Sequence, residues 1–358
     1  MKSVFGICKG LCRTPFTTLA VVVLFALAGG SPALARDSST DRVISRGLEW
    51  LAGHQSQRIG SWGAQDGRYP TAMTALSGTA LLCEGSTPNQ GKYAANIRKA
   101  VDYLVSHSRT NGLIGDPMQR DDRYTYGHGF SMLFLSQVLG EEEDADRRQE
   151  LVKVLTKAVE FTGRAQTTAG GWGYVSAKDG NDFDEGSTTI TQVQGLRGCR
   201  NAGIAVPKEL IDRAINYIRK CTIPVPNGLG QLAVQYNSKG GGPRPAISAA
   251  AIACLFNAGD YDDQFVPKLS KYCDENLLDV NKMVAGHWEY AHYYYAQVVY
   301  REGGKKWEQY RDHLAARIVS QVNPDGCWDQ GFMGAVYTTA MNLTILQLDR
   351  GALPIYQR

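Results

Sequence analysis

A helical unit that recurs along the chain constrains its fold more than any other feature, and residues 157–196 hold the fullest copy. Its first segment, Lys157–Gln166, has apolar residues at helical spacing and good helix formers in the first turns. The run Gly170-Gly171-Trp172-Gly173 then breaks the helix, and its glycines let Trp172 fold back onto the helix end. A second helix is predicted from about Ser187. The unit is therefore a helix, an aromatic turn and a second helix.

More divergent copies of this unit predict six helix pairs. In five of them a glycine-containing turn joins the two helices, at residues 60–63, 111–115, 170–173, 286–288 and 325–328. The fourth pair instead has a long Gly/Pro-rich connection through 240–243. Successive turns are mostly roughly 50 to 60 residues apart, and such a period without a strand signal indicates an all-α repeat architecture. Six pairs can stack as an open solenoid or close into a ring, and the spacing does not decide between them.

The first 35 residues are predicted to be a signal peptide. Lys2, Lys9 and Arg13 precede an apolar run, and Ala33-Leu34-Ala35 fits the small-residue rule for signal peptidase cleavage. We therefore expect an exported protein, periplasmic or extracellular, with a single domain over 36–358. No later segment is long and apolar enough to predict a membrane span.

Charge and cysteine usage narrow the expected partners and cross-links. The chain has 38 basic and 35 acidic residues, and removal of the leader takes away three basic residues, so no nucleic acid partner is expected. Disulfides are permissible in an exported chain. Even so, Cys83, Cys199 and Cys254 recur near the ends of successive second helices, which favours buried small apolar residues over bridges.

The glutamines and tryptophans of the repeated turns carry a family resemblance. Arg46-Gly47, Trp50-Leu51, Gln55 and Gly60-Ser61-Trp62 fall at the spacings of the QW motif of squalene and oxidosqualene cyclases. Less complete copies hold Gln166 with Trp172, Trp288 alone, and Gln321 with Trp328. A glutamine near a helix end can bond the backbone groups freed there, while the tryptophan packs over it.

The whole exported chain resembles the prenyltransferase and squalene oxidase repeat proteins of bacteria, an exported group of poorly known function. The resemblance implies a closed α/α toroid of the terpenoid cyclase and protein prenyltransferase type, in which six helix hairpins form an α6–α6 barrel. It implies that the second helices line a central cavity with their first turns. It also implies that a hydrophobic, isoprenoid-like ligand or an extracytoplasmic protein partner is bound in or on the toroid, with no catalytic step required.

The first candidate for chemistry is the acidic run Asp182-Phe183-Asp184-Glu185. It is similar to the Asp-x-Asp-Asp signature of cyclases that protonate an alkene or epoxide, with Glu185 in place of the last Asp. The resemblance implies that Asp184 donates the proton and that the carboxylates of Asp182 and Glu185 raise its pKa. The residue types alone favour a different interpretation, an acidic cap at the start of the second helix.

A second set of candidates consists of aromatic and polar residues in or just after the turns. These are Tyr124, Tyr126, His128, Tyr174, His287, Glu289, His292 and Tyr337. Aromatic faces stabilise the carbocations of cyclase reactions, although the same rings also fill a barrel core. Six-pair α/α barrels also serve glycan hydrolases and lyases, so an acid pair such as Asp184 and Glu289 is a further alternative.

Metal and cofactor binding are not predicted. Asp325-Gly326-Cys327 has the Asp-x-Cys spacing of two zinc ligands in the protein prenyltransferases that the chain resembles, but no histidine follows it.

Overall fold

The computed structural model describes residues 38–117, 120–258, 264–282, 284 and 287–357. The predicted signal peptide and Gly286 of the fifth turn lie outside the described residues. The first helices of the six pairs are α1 Ser38–Gly53, α3 Ala94–Ser106, α5 Ala145–Ala165, α7 Lys208–Cys221, α9 Val266–Leu277 and α11 Gly304–Ser320. The second helices are α2 Pro70–Cys83, α4 Tyr124–Glu141, α6 Gly186–Asn201, α8 Pro245–Ala258, α10 Trp288–Glu302 and α12 Ala335–Leu346.

The second helices form a closed inner ring. Each of them packs against the second helix of the next pair, and α12 packs against α2. The first helices lie outside this ring, where α5, α7 and α9 each fill the groove between two inner helices. Contact between the last pair and the first removes the solenoid alternative, so the all-α toroid is confirmed.

The distribution of apolar residues explains which helix of each pair lies in the inner ring. In α2 every residue from Thr71 to Cys83 is buried, as expected for a helix surrounded by neighbours. The outer helix α7 buries one face only, through residues such as Leu210, Ala214 and Tyr217. Inner helices approach closely, since a Cβ on Gly78 would lie 2.5 Å from the Phe134 ring. In the described part of the chain, no helix is long and apolar enough to cross a membrane.

Tryptophan indoles fasten the turns to the ends of the outer helices. The Trp172 Nε1–H donates to the carbonyl of Thr162 at 2.8 Å, and its backbone N–H donates to the Thr189 hydroxyl at 3.0 Å on the inner helix. Trp62 and Trp328 make the same pair of bonds in their own repeats. Each turn is thereby tied to both helices of its pair.

Two of the glutamines join one repeat to the next. The Gln55 side chain donates to the carbonyls of Gly60 and Asn96, at 2.8 and 2.9 Å, and Asn96 belongs to the next outer helix. Gln166 bonds its own turn and Leu210 of α7 in the same way. In the last repeat the bonding differs, because the backbone carbonyl of Gln321 accepts from the Gln330 side chain at 2.9 Å.

A small antiparallel sheet occupies the long connection between α7 and α8. Its strands are β1 Thr222–Pro224, β2 Leu232–Asn237 and β3 Gly240–Pro243, in the order β1-β2-β3. The sequence predicted no strands there, and that expectation was wrong for these short segments. The two-residue turn Ser238-Lys239 joins β2 to β3, and the first three residues of β3, Gly240 to Gly242, are glycines at positive φ.

The C-terminal segment packs across the end of the ring where the inner helices finish. The Tyr356 hydroxyl bonds that of Tyr293 on α10, and the backbone N–H of Ile355 donates to the Gln137 side chain on α4. Both Ile355 and Tyr356 are buried. This end of the ring is therefore covered by the chain itself, and the opposite end is the place to look for a site.

Candidate functional site

A cavity of about 710 Å³ lies at the end of the ring where the inner helices begin. Five of its lining residues occupy the same position in their repeats, directly before the first residue of an inner helix. These five, called the rim below, are Tyr69, Arg123, Glu185, Arg244 and His287. Because the inner helices are parallel in the ring, the residues that precede them are brought to one level.

The deeper wall of the cavity is apolar. Leu76, Phe130 and Met341, called the floor below, are the seventh residues of α2, α4 and α12 and lie two turns beyond the rim. Met73 and Ile247 line the wall between floor and rim. A polar rim above an apolar floor suits a ligand with groups of both kinds.

Tyrosines form much of the wall beside the rim. Tyr126 and Tyr174 stack with ring centroids 5.9 Å apart, and the Tyr174 hydroxyl bonds that of Tyr236. Tyr290 and Tyr337 come from the first turns of α10 and α12. Burial raises the pKa values of Tyr126, Tyr290 and Tyr337 above their ordinary range, so these phenols are neutral and able to donate hydrogen bonds.

Glu185 is the buried acid of this cavity. It caps α6, since its Oε2 accepts from the Thr188 backbone N–H at 3.0 Å. The same oxygen accepts from the Ser187 hydroxyl at 2.6 Å and from the Tyr126 hydroxyl at 3.4 Å. Burial raises the pKa of Glu185, although these hydrogen bonds oppose the shift. These three contacts involve Oε2, and the Ser187 backbone N–H also stabilises the carboxylate.

A second carboxylate and an imidazole line the other side of the cavity. Glu289, in the first turn of α10, is half-buried, and His287 at the rim is exposed. Although part of His287 is exposed, desolvation by the surrounding protein lowers the pKa of its imidazole, and the positive charge of Arg244 lowers it further. His287 is therefore neutral near pH 7.

Asp184 and Asp182, two of the three acids in the run 182–185, do not line the cavity. Buried Asp184 accepts from the Tyr217 hydroxyl at 2.9 Å and from Ser238, through the backbone N–H at 2.8 Å and the hydroxyl at 2.5 Å. Ser238 lies between β2 and β3, so Asp184 holds this hairpin to α6 and α7. Asp182 accepts from the Thr168 N–H and hydroxyl in a surface loop, and these bonds lower its pKa.

Three of the predicted cavity residues lie instead in the core between helices. His128 accepts from the Ile114 N–H through Nδ1, which leaves Nε2 to carry the proton facing Thr162, and burial lowers its pKa to about 4. His292 bonds the Tyr310 hydroxyl at 2.7 Å, and burial lowers its pKa to about 3. The Tyr124 hydroxyl donates to a loop carboxylate. None of the three lines the cavity.

The Asp-Gly-Cys turn of the last repeat is held by hydrogen bonds within the protein. Asp325 accepts from the Cys327 N–H at 3.2 Å and from the Trp50 indole at 3.1 Å. Throughout the described ranges, no group of three or more His, Cys, Asp or Glu side chains is arranged to hold a metal ion. All six cysteines of these ranges are buried, and burial raises the pKa of the Cys83 thiol to about 12.

Sequence reasoning missed Arg123, Tyr236 and Arg244. Tyr236 lies on β2, which the sequence did not predict. Arg123 and Arg244 directly precede α4 and α8, so inspection of the residue before each inner helix would have found them.

Comparison with known proteins shows likeness of fold alone. No family profile and no curated protein sequence matches the chain. An inactive variant of the α-1,6-mannanase of Salegentibacter sp. HEL1_6, solved with α-1,6-mannotriose, is similar with a TM-score of 0.61 and 7% identity over 86% of this chain and 98% of that one. A D-mannose isomerase is similar with a TM-score of 0.60 and 12% identity over 90% of this chain and 100% of that one.

A type II terpene cyclase from Scytonema, solved with geranylgeranyl dihydroxybenzoate, is more distant. Its TM-score is 0.37 and its identity 15%, over 88% of this chain and 98% of that one. The mannanase and the mannose isomerase share the fold with this chain but differ in chemistry, so function has to be argued from the cavity.

Proposed function

We propose that this protein binds a carbohydrate in the toroid cavity and cleaves a glycosidic bond, with Glu185 as the proton donor. Three carboxyl groups line the cavity, and Asp66 among them is exposed. The observation that carries the proposal is that the other two, Glu185 and Glu289, lie in different environments, one buried and one half-buried. Glycoside hydrolysis requires such a pair, one protonated and one ionised. The sequence suggested Asp184 with Glu289 as the acid pair, but Asp184 lies outside the cavity, where it accepts hydrogen bonds from the β2–β3 hairpin.

The environment of Glu185 suits a general acid. Burial favours its neutral form, and the Thr188 N–H and Ser187 hydroxyl hold the carboxyl group at the cavity wall, where it can present a proton to the ligand. In the proposed step this proton passes to the oxygen of the breaking glycosidic bond, and Glu185 becomes the carboxylate.

Glu289 supplies the base of the same step. Its carboxylate removes a proton from a water molecule whose oxygen bonds to the anomeric carbon as the glycosidic bond breaks. Proton transfer back from Glu289 to Glu185 through solvent restores the starting state, so one water is consumed for each bond cleaved.

The cavity wall suits sugar binding as well. Tyr126, Tyr174 and Tyr290 combine apolar ring surface with hydroxyl groups at the cavity wall, and sugar rings combine the same two kinds of surface. The fold neighbours support the proposal in one respect, since a toroid of this shape is the scaffold of a mannanase solved with its oligosaccharide.

The test incubates the chain that starts at Arg36 with a panel of oligosaccharides, including α-1,6-mannotriose, and detects products by mass spectrometry. Glu185→Gln should abolish cleavage, and Glu308→Gln, an exposed change on the outer helix α11, should leave it unchanged. Because burial raises the pKa of Glu185, the rate should fall as the pH rises through that raised value. Cleavage that survives Glu185→Gln contradicts the assignment of the acid.

The apolar floor favours a second candidate, an amphipathic, isoprenoid-like ligand bound by the exported protein without reaction. Leu76, Phe130 and Met341 offer it an apolar depth that a sugar does not require. Organic extraction after incubation with squalene, followed by gas chromatography and mass spectrometry, tests this candidate. Retained squalene, lost in Phe130→Asp and unaffected by Glu185→Gln, would favour it over the carbohydrate.

A further inference from the structure

We propose that Arg123 and Arg244 form a subsite for an oxyanion carried by the ligand, so that the substrate class is an acidic sugar, either a uronate or a sugar phosphate. This inference rests on the proposed carbohydrate function and specifies its substrate. It comes from the position of the two arginines in the fold, from their partners and from the aromatic rings that hold them.

The position of both side chains is unfavourable for helix stability. Arg123 directly precedes α4 and Arg244 directly precedes α8, and the N-terminal end of a helix carries a positive partial charge. A cation at this position opposes the helix dipole, whereas Glu185 at the equivalent position before α6 complements it. The two arginines therefore do not serve to stabilise their helices, and the potential that they build on this side of the rim attracts anions.

Neither guanidinium is neutralised. Among the described residues neither the Arg123 nor the Arg244 side chain has a hydrogen bond or an ion pair. Other arginines of the toroid do have carboxylate partners: Arg68 with Asp122, Arg98 with Glu142, and Arg147 with Asp102. The rim thus holds two charges available to a ligand.

Both arginines are oriented by tyrosines that are themselves linked. The Arg123 guanidinium carbon lies 4.3 Å from the centre of the Tyr174 ring, and that of Arg244 lies 5.8 Å from the centre of the Tyr236 ring. The hydroxyls of these two tyrosines are hydrogen-bonded to each other. A guanidinium over an aromatic face keeps its N–H groups free in its own plane, where they can bond a carboxylate or a phosphate.

The test compares three probes with one sugar ring: glucose, glucuronate and glucose 1-phosphate, measured by isothermal titration calorimetry on the chain that starts at Arg36. At least one acidic probe should bind about tenfold more tightly than glucose, and this preference should weaken as salt increases. Arg123→Gln and Arg244→Gln should each reduce the preference by about tenfold. Arg148→Gln, an exposed change on the outer helix α5, should not alter it.

The outcomes separate this inference from the proposed function. Equal binding of glucose and both acidic probes overturns the inference and leaves a neutral-sugar site standing. Binding of inorganic phosphate that requires both arginines, with no binding of any sugar, supports the oxyanion subsite and refutes the carbohydrate function. No binding of either acidic sugar or of inorganic phosphate overturns the subsite. A loss equal in Arg148→Gln and in the rim variants also overturns it, because the effect would then be one of net charge.

Discussion

Replacement of Asp184 by alanine should destabilise the toroid, because this carboxylate holds the β2–β3 hairpin. It is 4% exposed and accepts three hydrogen bonds, one from Tyr217 and two from Ser238. Removal of the carboxylate leaves buried donors without an acceptor, each at a cost of about 1 to 3 kcal/mol. With partial rehydration of the hairpin, we expect a loss of about 3 to 5 kcal/mol in the free energy of unfolding.

Asp184→Asn is the matched milder change. Its amide oxygen can still accept from Tyr217 and from the Ser238 N–H, and its NH₂ group can donate to the Ser238 hydroxyl. A loss of about 1 to 2 kcal/mol is expected, since charged hydrogen bonds become neutral ones. Asp182→Asn, in a surface loop where the residue has a φ of 57°, should cost less than about 1 kcal/mol.

Urea unfolding followed by circular dichroism measures these differences, and ligand binding provides the second readout. Because the hairpin carries Tyr236 and leads to Arg244, its release should weaken binding in proportion to the loss of stability. An acid that serves catalysis alone behaves differently, since its removal abolishes turnover and leaves stability intact. Unchanged stability in Asp184→Ala would therefore refute the hairpin role, and loss of turnover alone would restore Asp184 as the proton donor.

Three further changes test the packing of the ring. Trp172→Ala should lower the free energy of unfolding by about 3 to 5 kcal/mol, because the indole is fully buried and hydrogen-bonded. Trp288→Ala should cause a smaller loss, since Trp288 is only half-buried. An unchanged melting temperature for Trp172→Ala would contradict its role in holding the turn to the helix. Gly78→Ala should also destabilise, as its Cβ would meet the Phe134 ring at 2.5 Å, and the added Phe134→Leu should recover part of the loss if that contact is the cause. The pKa of His128 is lowered from 6.5 to about 4 in the folded protein, so between these pH values only the unfolded state takes up a proton. Lowering the pH through this range should therefore reduce the free energy of unfolding by roughly 3 kcal/mol. Urea titrations at several pH values should show a weaker pH dependence for His128→Gln.

Much of the fold was predictable because the signals for it are local. A glycine-containing turn between two segments with helical apolar spacing indicates a helix pair, and each pair can be predicted from its own residues alone. Closure of the ring depends on contact between α12 and α2, which are separated by most of the chain, so no local pattern contains it. The β2–β3 hairpin was missed because Gly240 to Pro243 reads as a loop from residue types alone.

The cavity residues were harder to predict, because what they share is their position in the toroid and not their residue type. Rim residues share one place before an inner helix, yet their types differ: Tyr69, Arg123, Glu185, Arg244 and His287. The sequence choices followed aromatic and acidic clusters, which selected Tyr126, Tyr174, Tyr337 and Glu289 in the cavity but also His128, His292 and Tyr124 in the core. The type of a residue thus indicates which chemistry it could perform, whereas its position in the repeat indicates whether its side chain reaches the cavity.

The choice between Asp184 and Glu185 depends on backbone geometry that a motif does not contain. The segment before α6 is extended, since Glu185 has a φ of −156° and a ψ of 140° and bridges to Trp172. Neighbouring side chains of an extended segment point to opposite sides. Glu185 lines the cavity, whereas Asp184 faces the hairpin. Similarity to the Asp-x-Asp-Asp motif selects Asp184 by its place in that motif. Because side chains alternate along the extended segment, Glu185 is instead the acid of this run that a ligand in the cavity can reach.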